Sequence, residues 1–233
     1  MKSVTDFDCY ADSYDRALGE ALAASGEDRQ YFARGRVEWL AGCLRQIGSV
    51  PLHLMDYGCG TGATTSLLRD TLGAETIVGV DRSLRSLEVA RQCYGSERVR
   101  FFPVDQYQSV QSVDLGYSNG VFHHIPREQR GEALRFISRA LRPGGLFSFW
   151  ENNPWNPGTR QVMARCVFDQ DAVTLTSIEA KRLLRSEGYT VLRTDFLFIF
   201  PRSLKVFRPA EKLVSRMPLG AQYQVLCQKP ISQ

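Results

Sequence analysis

Asp56-Tyr57-Gly58-Cys59-Gly60-Thr61-Gly62 decides how this chain is read. It follows an apolar run at 52–57 and precedes a helical pattern at 61–72, so its glycines sit between a buried strand and a helix. Glycine lets the backbone turn sharply and lets a ligand approach the main chain. The helix start adds unpaired N–H groups and the positive end of a dipole. A nucleotide-type ligand is the chemistry such a loop serves; a plain tight turn is the bland alternative.

On either side, apolar runs alternate with helical patterns. The pattern predicts strands at 76–81, 99–104, 112–118 and 145–151, and helices at 84–94 and 127–141. Short continuous apolar strands between helices indicate a parallel sheet covered on both faces. Ala33, Val37, Leu40, Leu44 and Ile47 recur at helical spacing, giving an amphipathic helix over 28–48. Ser83 caps the helix at 84, Leu141-Arg142-Pro143-Gly144-Gly145 is a helix stop and turn, and Thr176-Ser177-Ile178-Glu179 has capping-box spacing. Strands at about 189–199 and 222–228 finish the pattern, while 152–175 and 201–220 fit neither period and read as insertions over one end of the sheet.

The 233 residues suit one α/β domain with a sizeable core, and 43% hydrophobic with 23% charged residues is ordinary for a globular protein. A net charge of +4 falls short of a nucleic-acid footprint. The six cysteines form no CxxC pair, which argues against structural zinc and for reduced cytosolic thiols, and no metal is expected. The polar, acidic start resembles neither a signal nor a transit peptide, and no apolar run reaches transmembrane length, so a cytoplasmic protein is expected.

The loop alone leaves two ligands open. Gly58, Gly60 and Ala63 also satisfy G-x-G-x-x-A, with Asp81 near the spacing of a ribose-binding acid, which is a dinucleotide fingerprint. Asp56, two residues before the first glycine, places a carboxylate where a cationic amino group can sit, and Asp105-Gln106 follows the third strand. Those additions suit a ligand with ribose, adenine and an amino-acid tail.

In sum, residues 52–151 resemble the core of class I S-adenosylmethionine-dependent methyltransferases. The first motif is Asp56–Gly62, including Tyr57; Asp81 ends the second strand, Asp105 follows the third, Ser118–Ile125 follows the fourth, and Leu141–Gly145 precedes the fifth. Phe7-Asp8, Tyr10-Ala11, Tyr14-Asp15 and Tyr31-Phe32-Ala33 with Arg36 are similar to the N-terminal signature of small-molecule members. The resemblance implies a Rossmann-like, seven-stranded, mostly parallel sheet flanked by helices, with a helical cap at 1–50 and the core at 51–233. It implies that Gly58 and Gly60 approach the methionine moiety, Arg36 meets its carboxylate, and Asn119 makes main-chain contact there. Asp81 would hold both ribose hydroxyls, Arg82 border the adenine, and Asp105 with Gln106 meet its amino group.

Methyl transfer from a sulfonium is an in-line displacement, so the enzyme aligns donor and acceptor and removes a proton. His123 and His124 follow the fourth strand beside the expected methyl group; His124 is the favoured base, and a loop-tying histidine is the competing role. Glu151, Asn152 and Trp155 leave the fifth strand where α/β sites are built, and Tyr10 and Tyr14 lie in the segment expected to fold over the cofactor. The expected reaction is transfer to an oxygen or nitrogen of a small molecule. Carbon methylation of a quinone or isoprenoid precursor, a cofactor-binding protein that does not methylate, and RNA modification are the rivals. The basic run Arg202, Lys205, Arg208, Lys212, Arg216 reads as a solvated face or a lid for an anionic acceptor.

Overall fold

Four of the five residues of β1 (His53–Tyr57) and four of the six of β2 (Thr76–Asp81) are buried, because helices cover both faces of these strands. In the computed structural model, which describes residues 26–166, 169 and 171–231, they join β3 (Val99–Pro103), β4 (Val113–Asn119), β5 (Leu141–Asn152), β6 (Thr190–Leu197) and β7 (Gln222–Gln228). The seven strands form one sheet in the order β3-β2-β1-β4-β5-β7-β6. The pairings among β1 to β5 are parallel, and β7 alone runs against its neighbours. The chain winds outward from β1 to β3 and returns to lay β4 beside β1. That reversal opens a crevice at the carboxyl ends of β1 and β4, where sheets of this kind bind ligands.

Successive side chains of a strand point to opposite faces, and β1 shows it: Leu54 joins one core cluster and Met55 the other. On the first face lie α1 (Arg29–Gln46), α2 (Ala63–Leu72) and α3 (Leu84–Tyr94), which contribute Val37, Leu40, Leu44, Leu68 and Leu87. On the second, α4 (Arg130–Ala140) and α6 (Ser177–Ser186) contribute Leu134, Ile137 and Leu184. Between them in sequence, α5 (Pro157–Arg165) follows β5.

Local signals in the sequence account for the boundaries. Ser83 caps α3 by accepting from the N–H of Ser86, and Thr176 with Glu179 forms the full capping box of α6. Asn156 caps α5, with Pro157 in its first turn. Ile47, expected to belong to the apolar stripe, instead closes α1 as its C-cap and is half exposed. The predicted turn at Leu141–Gly145 is absorbed into β5: Leu141 pairs with Val113 and Leu146 with Leu115, so the residues between them bulge.

The two segments without clear periodicity rise from the carboxyl edge. The first carries α5; the second is a run of 3-10 turns over Arg202–Ala210 followed by the short α7 (Glu211–Val214). Buried Asn153 ties them together by donating from Nδ2 to the carbonyls of Gly220 (2.8 Å) and Pro218 (3.2 Å). No helix among the described residues is long and apolar enough to cross a membrane.

Candidate functional site

The three glycines after β1 all have positive φ, at +74° for Gly58, +53° for Gly60 and +83° for Gly62, yet they serve different ends. A Cβ on Gly58 would stand 2.2 Å from Cγ2 of Val121, and one on Gly62 would stand 2.8 Å from Cζ of Phe101. These two let the loop pack against the protein. A Cβ on Gly60 would meet nothing within 4 Å among the described residues. Its Cα faces open space, so its smallness serves whatever fills that space.

The space is a cavity of about 510 Å³, within the usual range for a small-molecule site. Its floor is the end of β1 and β4, with Asp56, Gly58, Gly60, Tyr117, Asn119 and Gly120. Asp56 is 2% exposed and accepts from Oγ1 of Thr65 at 2.6 Å. Burial pushes its carboxyl up to about 7, against the Thr65 hydrogen bond, with a further push from Asp81 and an opposing pull from Arg36. Arg36, buried on α1, donates from Nε to the hydroxyl of Tyr117 (3.2 Å) and from Nη1 to Oε1 of Gln222 (2.8 Å), and it lines the same cavity. Oδ1 of Asn119 and Oγ of Ser118 are buried without a hydrogen-bond partner among the described residues.

The carboxylate of Asp81 accepts from the N–H of Gly60 (2.8 Å) and of Ser83 (2.9 Å), which locks the glycine loop to the end of β2. Arg82 and Asp105 line a second hollow, of about 730 Å³, over the ends of β2 and β3. Asp81 itself lines neither space; one of its oxygens is held by Gly60, which borders the first, and the next residue, Arg82, borders the second. Gln106 is exposed and borders neither. Tyr57 is not a cavity residue: its ring is buried in the core against Phe122 and Phe136, which leaves only its main chain near the loop.

At the other end of the cavity stand His123, His124 and Asp169. The loop after β4 is fixed by Glu151 of β5, whose Oε1 accepts from the N–H groups of Phe122 (2.7 Å) and His123 (3.3 Å). Its Oε2 lies 2.5 Å from Nδ1 of His123. Glu151 thus faces the loop rather than the acceptor space where the sequence placed it. Burial disfavours a charge on His123, but Glu151, with help from Asp169, outweighs it and pushes the imidazole up to about 10. Glu151 stays below its ordinary value: burial opposes its charge, and His123 more than compensates. Burial first, and then the charge on His123, push His124 down to about 4, so His124 is the neutral imidazole.

Asp169, which no motif singles out, arrives from a distant part of the chain. Its segment is fastened to the histidine loop by Val173, whose N–H donates to the carbonyl of His123 at 2.8 Å. Arg130 bridges the same two segments through the carbonyls of Ile125 (3.0 Å) and Val173 (2.5 Å). Asn152 lines the cavity and accepts from Nε2 of Gln222 at 3.0 Å. Trp155 does not: it is 47% exposed and turned away, because the buried residue of that turn is Asn153. Tyr10 and Tyr14 lie outside the described residues. The mouth holds an edge-to-face group of Tyr31, Phe32 and Phe198, with the Arg208 guanidinium 4.6 Å above the Tyr31 ring and 2.9 Å from Glu27.

Residues 55–149 match a family model described as a methyltransferase domain. Among proteins similar to this chain, the O-methyltransferase cnsE of Penicillium expansum is 28% identical over 166 residues, 66% of this chain and 58% of that protein. A trans-aconitate 2-methyltransferase of Azoarcus is 31% identical over 143 residues, 59% of this chain and 54% of that one. The chain thus spans little more than half the length of these relatives. The fold is shared with a chain from the complex of the Haloferax volcanii Trm112 methyltransferase activator with a methyltransferase, at TM-score 0.65 and 20% identity, covering 98% of this chain and 100% of that one.

A methyltransferase domain implies S-adenosylmethionine, and the cavity suits it. The open face of Gly60 admits a ligand to the backbone, and the buried carboxylate of Asp56 calls for a cation. The orphaned Oδ1 of Asn119 is a second acceptor for an amino group, and Arg36 offers a fork to a carboxylate.

Proposed function

We propose that this protein transfers the methyl group of S-adenosylmethionine to an oxygen or nitrogen of a small-molecule acceptor. One observation carries the reading: one cavity is lined by Gly60, Asp56 and Asn119 as well as by His123, His124 and Asp169, so both reactants can meet in one space. The cofactor supplies an electrophilic methyl on a sulfonium. Asp56 and Asn119 hold its amino group, Arg36 its carboxylate, the Gly58–Gly60 main chain its methionine end, and Asp81 its ribose, with Arg82 and Asp105 toward the base.

The acceptor takes the opposite end. His124, neutral and cavity-facing, receives its proton; His123, clamped by Glu151, positions that loop. The ring group of Tyr31, Phe32 and Phe198 suits a flat, partly apolar acceptor. The name of the Penicillium expansum relative, an O-methyltransferase, favours oxygen over carbon as the methylated atom. The five described cysteines are free thiols, in keeping with a cytoplasmic enzyme.

Mass spectrometry of an acceptor panel incubated with the protein and S-adenosylmethionine tests the reading. Turnover appears as the gain of one CH2 on an acceptor together with S-adenosylhomocysteine. A protein that binds the cofactor but yields neither product across hydroxyl, carboxyl and amine acceptors would overturn it.

A further inference from the structure

Oδ1 of Asp169 lies 3.4 Å from Nε2 of His123 and 3.4 Å from Nε2 of His124. One donor atom from each of the three residues falls within 4.8 Å of the others. The two imidazole centroids are 4.1 Å apart, so both rings stand side by side facing one carboxylate. A separation of 3.4 Å lets Asp169 support the charge on His123 in the ion-free protein. It equals the edge of a tetrahedron whose bonds from the centre are about 2.1 Å long, the length of zinc bonds to nitrogen and oxygen.

The surroundings are those of a ligating histidine. Glu151 engages Nδ1 of His123 at 2.5 Å and is itself held by two main-chain N–H groups, which leaves Nε2 turned toward Asp169. A carboxylate behind a histidine fixes the ring and strengthens the far nitrogen as a ligand. All three residues line the cavity, so a fourth position opens onto the space given to the acceptor.

We infer that His123, His124 and Asp169 form a binding site for a divalent transition-metal ion of the zinc type, with one position open to the cavity and the Nε2 proton of His123 released to solvent as the ion enters. Two imidazoles and one carboxylate suit Zn2+ and its neighbours, whereas Mg2+ and Ca2+ prefer oxygen donors throughout. This departs from the metal-free site the sequence predicts, because Asp169 joins the adjacent histidines only through the fold.

What the ion does rests on the methyl-transfer reading. When bound, the ion would offer its open position to the acceptor's hydroxyl and make that group acidic enough to lose its proton to solvent near neutral pH. His124 is then the proton acceptor in the ion-free protein only. Whether the ion binds is independent of that reading.

The test uses the tag-free full chain, stripped with chelator and dialysed against Zn2+, with Co2+ absorption in the visible range as a second probe. One ion per chain is expected, displaced from Co2+ by Zn2+ and not by Mg2+. His124→Gln and Asp169→Asn should each weaken binding at least tenfold, and Glu151→Gln by about tenfold. The same variants are titrated with S-adenosylhomocysteine, and retained binding shows that the fold is intact. No retained ion at micromolar Zn2+, or binding unchanged by both ligand substitutions in folded protein, overturns the inference and leaves the methyl-transfer reading standing. An ion bound as described in a protein that methylates nothing overturns that reading alone.

Discussion

The carboxylate of Glu151, at the end of β5, lies 2.5 Å from Nδ1 of His123, in the loop after β4. Both side chains are almost wholly buried, at 1% and 3% exposure. Two neighbouring strand ends are thereby fixed to one another at the edge of the cavity, and His124 is carried by a loop with little freedom to move.

Glu151→Ala removes one partner of this buried pair and frees two main-chain N–H groups. The loss should be about 3–5 kcal/mol, the usual cost of stranding a buried charge, read as a lowered midpoint in urea denaturation. An effect below about 1 kcal/mol would match a surface pair and contradict the clamp.

Gly58 and Gly60 should part company. Gly58→Ala drives a methyl into Val121 and should cost about 1–3 kcal/mol beyond the conformational penalty. Gly60→Ala meets no neighbouring atom and should cost only the left-handed penalty of about 1–2 kcal/mol. Thermal melts of the two variants, measured side by side, check the order.

Asp56 makes stability and cofactor binding respond oppositely to pH. Its carboxyl titrates near 3.8 when unperturbed and near 7 in the fold, so the folded chain holds the extra proton between these values. Stability attributable to Asp56 therefore falls as pH rises through that window. Asp56→Asn should flatten this decline and melt higher than the parent at about pH 8. Affinity for S-adenosylhomocysteine in the parent should rise from pH 6 to about pH 8 as the carboxylate forms, and the variant should bind weakly at both.

His124→Ala should lower turnover by about 10²–10⁴-fold while leaving S-adenosylhomocysteine binding within a few-fold, since a proton acceptor contributes on that scale. Full retained activity would discard the role.

The sequence and the fold agree where the governing physics is local. The runs at 76–81 and 84–94 became β2 and α3 at those bounds, because alternation, helical period and the Ser83 cap all act over a few residues. The glycine loop was legible for the same reason. Asp169 was not, since its meeting with His123 and His124 depends on the Val173 and Arg130 tethers across the chain. Glu151 and Trp155 were placed by strand end alone, and strand end does not fix the direction of a side chain. Tyr57 likewise sits in the motif by sequence but in the core by pleat.

The central claim is that the space above Gly60 receives S-adenosylmethionine. Calorimetric titration with S-adenosylhomocysteine tests it most directly. One molecule bound per chain is expected, with binding lost in folded Gly60→Ala. Saturable binding of NAD with no heat from S-adenosylhomocysteine would contradict it.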